Sequence, residues 1–292
     1  MERLEILKTY KMYIGGKFPR TESGRFYAPE VNGKAIGNIC LSSRKDFRNA
    51  MVAARAAQSP WSERTAYNRS QILYRIAEML ETRRAQFVEE MILQGGTKKA
   101  ANKEVDISVD RLIHYAGWCD KYQQIFSSVN PVASSHFNFS VLEAMGVVFL
   151  FAEEQSSLLG LVSMIAPIVV GGNTVIALAS ESKPLCAVTF AEVLNSSDLP
   201  GGVVNILTGN RKELMRHVAM HMDLNAIAYC GSEAKEVKQI QEESTSNLKR
   251  IRLYDKKWSA AVSQDPYLIR DFSEVKTTWH PIEHIGASGS GY

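Results

Sequence analysis

Several groups of residues have types and spacings that could do chemistry. Tyr229-Cys230-Gly231-Ser232 leaves a short β-branched run and opens an amphipathic segment. The Gly231 and Ser232 amides could therefore face a pyrophosphate at a helix N-terminus. The turn lacks G-x-G-x-x-G, however, and Glu233 and Glu236 place negative charge where phosphate would sit. Read as an ordinary helix start, it uses Ser232 as the N-cap. Glu153 and Glu154 are an adjacent carboxylate pair just past an apolar run, a place for general acid or base work. Neighbours in extended chain point apart, so a shared proton is not expected. His217 and His221 are spaced i, i+4, but H-V-A-M-H lacks the glutamate of a zinc helix and no third ligand is evident. They read as a packed or solvated pair, with no metal. Cys230 has no histidine near it in sequence and reads as a small buried residue. No G-x-S-x-G elbow offers a serine nucleophile.

The elements that position these groups follow from composition and pattern. The 292 residues carry 34 Lys+Arg and 31 Asp+Glu, a formal charge of +3, with 45% hydrophobic residues. Disorder is excluded, and so is any electrostatic case for nucleic acid or an anionic membrane. Four scattered cysteines form no disulfide framework or zinc pattern. The first residues lack the apolar core of a secretory signal. The apolar stretch from Leu158 to Val170 is too short to span a bilayer. Three N-x-S matches, at Asn68, Asn138 and Asn195, carry no meaning without export, and the chain reads as cytoplasmic.

Short extended runs broken by Gly15-Gly16, Gly24 and Gly33 come first. Helical patterns follow, with Phe47, Ala50, Met51 and Ala54 on one face and Ile72, Leu73, Ile76 and Leu80 on another. Val105, Val109, Leu112, Ile113 and Ala116 line a third helix. After residue 134 short apolar strands at Gly146, Asn173, Val203, Asn225 and Arg250 alternate with amphipathic segments. That alternation predicts a doubly wound parallel sheet, an α/β domain behind an N-terminal helical layer.

Collinear segments resemble the aldehyde dehydrogenase superfamily. They include MYIGGKF, the run from Ala53 to Glu81, RLIHYAGWCDK, EAMGVVFLF, IAPIVVGGNTVIALASESKP, LPGGVVNILTG and IAYCGSEA. The resemblance implies a Rossmann-like NAD(P)-binding domain over residues 13–272, with an oligomerisation arm at about 132–142. Residues 1–12 would then be linker-like and 273–292 a tail ending in GASGSGY.

Departures from the family's motifs shape the functional expectation. Gln155 stands where the family has its oxyanion-holding asparagine. Glu181 keeps the family's ribose-gripping carboxylate, while Leu178 replaces the accompanying lysine. Gly231 and Ser232 match the phosphate turn, yet Lys235 and Glu236 replace its valine and second glycine. The general-base motif falls on residues 254–258, with Tyr254 for the glutamate and Lys256 and Lys257 for glycines. The family's nucleophilic cysteine lies in a catalytic domain expected to be absent, and Cys230 belongs to the coenzyme-side turn.

The pattern is most similar to the degenerate, truncated second unit of family 16 aldehyde dehydrogenases. It implies a pseudoenzyme with an assembly or interaction role, its NAD(P) binding weak or lost. Self-association or a partner dehydrogenase unit would cover the remaining apolar surface. The alternative is an NAD(P)-dependent aldehyde oxidoreductase whose catalytic half comes from another chain. A third reading is a dinucleotide-binding module without chemistry.

Overall fold

A computed structural model describes residues 6–282. The chain opens with short strands β1 (Thr9–Tyr10), β2 (Phe26–Tyr27), β3 (Glu30–Val31), β4 (Lys34–Ala35) and β5 (Asn38–Cys40). Helices α1 (Arg44–Ser62), α2 (Ala66–Thr82), α3 (Arg84–Leu93), α4 (Lys98–Ala116) and α5 (Tyr122–Phe126) follow. Strands β6 (Ser128–Asn130) and β7 (His136–Ala144) lead into an alternating series. That series is β8 (Val147–Phe151), α6 (Leu159–Val170), β9 (Thr174–Leu178), α7 (Leu185–Asn195), β10 (Val204–Leu207) and α8 (Arg211–Ala219). It continues with β11 (Ala226–Cys230), α9 (Ala234–Glu243), β12 (Arg250–Tyr254), α10 (Tyr267–Arg270) and β13 (Ser273–Pro281).

Local chemistry sets the helix starts. Ser43 and Asp46 form a capping box at α1, and Thr65 and Thr97 cap α2 and α4 through their hydroxyls. The apolar faces expected of α1 and α2 are buried as the 3.6-residue period requires.

The central sheet is parallel, ordered β10-β9-β8-β11-β12. Strands β8 to β11 are two-sided cores, while β12 is partly exposed at the sheet edge. Val148, Leu150, Val175 and Ala228 face α6, α7 and the helical layer, while Phe149, Ile176, Ile227 and Tyr229 face α1, α8 and α9. The chain runs outward from β8 through β9 to β10, then returns to the other side of β8 as β11. The strand order therefore reverses between β8 and β11, the place where doubly wound sheets form ligand crevices.

The turn before β10 is packed against α1. Gly202 has φ +95°, and a Cβ there would lie 2.6 Å from the Ala53 carbonyl oxygen. Gly202→Ala is expected to cost about 2 to 4 kcal/mol, from left-handed backbone strain and overpacking against a rigid helix carbonyl. Urea denaturation checks this, and an unchanged midpoint would refute it.

Three sequence expectations need correction. The linker-like residues 1–12 are partly structured: β1 pairs in parallel with β5, and Tyr10 and Met12 are buried. The arm is broader than 132–142 and has three strands, ordered β13-β7-β6. Its third strand comes from the expected tail, since residues 273–281 pair antiparallel with β7 from Ser273↔Ala144 to Pro281↔His136. Alternation in S-E-V-K-T-T-W-H is too polar to read as a strand without its partner. The GASGSGY segment lies outside the described residues.

Candidate functional site

The carboxyl ends of the five parallel strands converge on a crevice divided into two clefts. One, of about 680 Å³, lies between the loops after β9, β10 and β11 and includes Glu154, Glu181, Arg211 and Glu236. The other, of about 560 Å³, lies between α4, the loop after β8 and the segment after β12. Gln155, Cys230, Gly231 and Ser232 form a wall common to both.

Glu153 and Glu154 diverge, as extended neighbours should. Buried Glu153 accepts a short bond from the Ser156 hydroxyl, and burial raises its pKa above the usual carboxylate range. Glu154 turns the other way and gathers the loop after β9. It accepts from the Ser180 hydroxyl at 2.7 Å, the Glu181 amide at 3.2 Å and the Ser182 hydroxyl at 3.1 Å.

Arg211, at the first position of α8, is the hub of the first cleft. Its guanidinium pairs with Glu154 at 3.3 Å and Glu236 at 3.8 Å, and sits 5.6 Å from the Tyr229 ring centre. It also donates to the carbonyls of Ala152 and Cys230, which close β8 and β11. Tyr229 donates its hydroxyl to Glu236 at 2.7 Å. Burial, then the Glu236 carboxylate, pushes that phenol up to about 12. The same hydroxyl lies 2.8 Å from where a Cβ on Gly231 would stand. Glycine there accommodates the chain's own tyrosine.

Glu181 accepts from the Asn210 side chain at 2.9 Å. Gln155 is exposed at the rim, its carbonyl held by Lys183 at 2.5 Å. Ser232 is not the N-cap of α9; Glu233 takes that place and its side chain makes no capping bond. Leu178 is fully buried at the end of β9.

In the second cleft Tyr254 is buried and donates to Asp271 at 2.7 Å. Burial, with the Asp271 charge, raises this phenol far above its ordinary range. The segment after it is pinned from below, where buried Arg111 donates to the Trp258 carbonyl at 2.9 Å. Glu104 of α4 accepts from the Leu158 and Leu159 amides at 2.8 and 3.2 Å, so a carboxylate of this chain fills the N-terminus of α6.

All four cysteines are buried as free thiols. Burial pushes Cys119 up to about 12 and raises Cys186 and Cys230 as well. A thiol so held carries little thiolate, the form that attacks carbonyls. His221 packs edge-on to Phe47, and burial lowers its pKa. Among the described residues, no group of three or more His, Cys, Asp or Glu could hold a metal ion.

Sequence alone did not single out Arg211, Asp271, Arg111 or Glu104. Arg211 carried one signal, because a cation in the first turn of a helix opposes the helix dipole and needs another reason to be there.

The model of the aldehyde dehydrogenase family matches residues 19–254. The chain belongs to that family. It is 28% identical over 260 residues to a putative aldehyde dehydrogenase, DhaS, of Bacillus subtilis, covering 86% of this chain and 52% of DhaS. It is 27% identical over 260 residues to the cytosolic 10-formyltetrahydrofolate dehydrogenase of Mus musculus, covering 29% of that protein. Among solved structures, a putative aldehyde dehydrogenase from Burkholderia cenocepacia superposes with a TM-score of 0.80 at 27% identity, over 85% of this chain and 50% of that one. The NAD+ complex of the Bacillus cereus aldehyde dehydrogenase gives 0.79 at 25% identity, over 84% and 50%. The aldehyde dehydrogenase relationship thus covers most of this chain, which spans about half the length of DhaS and of these structures. No helix among the described residues is long and apolar enough to cross a membrane.

Proposed function

We propose that this chain is a non-catalytic aldehyde-dehydrogenase-like domain with an assembly or interaction role. The observation that carries the reading is the closed set of contacts at the switch point, where Arg211 binds Glu154, Glu236 and two strand-end carbonyls. A dinucleotide does not fit this turn. Its pyrophosphate would meet the Glu236 carboxylate and the Tyr229 hydroxyl over Gly231, with the nearest guanidinium already committed. Tyr254 supports the same conclusion, since a phenol tied to Asp271 is no substitute for a carboxylate base.

Purified protein mixed with NAD or NADP and aliphatic or aromatic aldehydes is expected to form no reduced coenzyme above background. Tryptophan fluorescence is expected to show no saturable change with NAD up to about 1 mM, the upper end of ordinary enzyme affinities. Turnover abolished by substituting one of the chain's own cysteines would overturn the reading.

The interaction role rests on the arm, which exposes Val129, Phe137, Val275 and Trp279 and whose β13 has no strand on its outer side among the described residues. Such a surface is covered by a second copy or a permanent partner. Light scattering at micromolar concentration is expected to report a species larger than 32.5 kDa. A stable monomer would count against it.

One observation favours the second reading, an oxidoreductase completed by another chain: Glu181 stands at the end of the second strand, where ribose hydroxyls are gripped. That reading predicts co-purification with a cysteine-bearing chain and coenzyme turnover only in the mixture.

A further inference from the structure

The geometry points to the cleft between α4 and the segment after β12 as a binding site for a small amphipathic carboxylate. Three lysines line it: Lys103 from α4, and Lys256 and Lys257 from the segment that follows Tyr254. Lys103 and Lys257 are exposed, and no ion pair is formed by either among the described residues. Lys256 is shared with Asp265, 3.9 Å away.

The acids in the same cleft do not cancel this charge. Glu104 is spent on the two amides that open α6. Glu153 is buried against Ser156, and burial favours its neutral form. Asp255, exposed like Lys103 and Lys257, offsets only one of the three positive charges. The cleft therefore keeps exposed cations for an incoming group, with Glu104 hydrogen-bonded and Glu153 buried.

The rest of the lining is mixed, with polar Gln155, Ser156, Ser232 and Ser259 beside an apolar part. Ile107, Leu159 and Trp258 supply a wall, and the volume of about 560 Å³ lies in the range of sites for small organic molecules. An anionic head beside Lys103 and Lys257, with a short hydrocarbon body against that wall, satisfies both halves. Inorganic phosphate satisfies only the first, and a neutral alcohol only the second.

This inference goes beyond the non-catalytic reading and stands without it, because binding is measured without turnover. Isothermal titration calorimetry of the full chain at low salt, with octanoate as the probe, is expected to show saturable binding. Lys103→Glu with Lys257→Glu should weaken it by at least about tenfold, as loss of two charge-assisted contacts implies. Both lysines are exposed, so the double variant is expected to keep its circular dichroism spectrum. Octanol and inorganic phosphate should each bind at least about tenfold more weakly than octanoate. No octanoate binding up to about 10 mM, equal binding of octanol or phosphate, or an unaffected double variant would each overturn the proposal.

Discussion

Between pH 9 and pH 11 the protein is expected to lose several kcal/mol of stability, on the order of the proton linkage of its buried thiols and phenols. Burial raises the pKa of Cys119, Cys186 and Cys230 in the native state, with Cys119 at about 12, whereas an unfolded thiol ionises near 9. Below the unfolded value both states hold the proton, and the stabilising difference is fully present. As pH rises toward the folded value only the unfolded chain releases protons, so unfolding becomes more favourable. Cys119 then contributes a loss of about 1.4 kcal/mol per pH unit, or about 2 to 3 kcal/mol by pH 11, and Cys186 and Cys230 act in the same direction. Buried phenols add to this above pH 10, including Tyr13 and Tyr229, each raised to about 12.

One group works the other way. Burial lowers the Lys249 ammonium to about 8, so it favours the fold as pH rises from there to its unfolded value. Three carbonyls at the end of α8 hold its charged form at 2.5 to 3.2 Å and limit that gain. It offsets about one thiol at most. The remaining loss is a large part of the ~5–15 kcal/mol that holds a typical domain together. Urea midpoints measured at half-unit steps from pH 8 test this, and a flat profile to pH 10.5 would contradict it. Cys119→Ala should flatten the slope by one proton.

Arg211→Met is the second large expectation, a loss of about 3 to 5 kcal/mol, or roughly 10 °C in Tm. The side chain is only 11% exposed. Removing it strips Glu154 and Glu236 of their cation and leaves the Ala152 and Cys230 carbonyls without that donor. Methionine matches the volume but none of these bonds. A double-mutant cycle with Glu236→Gln should show coupling between the two positions. If Arg211→Met stays within about 1 kcal/mol of the parent, the hub contributes nothing beyond a surface ion pair.

The central sheet and its helices were legible because β8 to β11 are buried on both faces and α1 and α2 each carry an apolar stripe. Gly146, Asn173, Val203, Asn225 and Arg250 each mark the neighbourhood of a real strand. The site was legible only in what it replaces: Tyr254, Gln155 and Glu236 stand out as changed residues, but their partners do not. Asp271 reaches Tyr254 from a separate element. Glu104 and Arg111 lie on α4 among ordinary helical charges, and only the packing of α4 on α6 and the β12 segment gives them work. Strand β13 was missed for the same reason, since its pairing residues lie beyond the whole central sheet in sequence.

That pairing has a kinetic consequence. β7 is synthesised before any strand of the central sheet, and β13 after all of them. Its nine-residue register with β13 therefore closes a loop that encompasses the whole α/β series. Such non-local closure is slow and comes late. Until β13 is made, β7 is an open edge carrying Phe137 and Phe139, a template for off-pathway pairing with neighbouring nascent chains. A strand made after the whole central sheet thus shields one made before it.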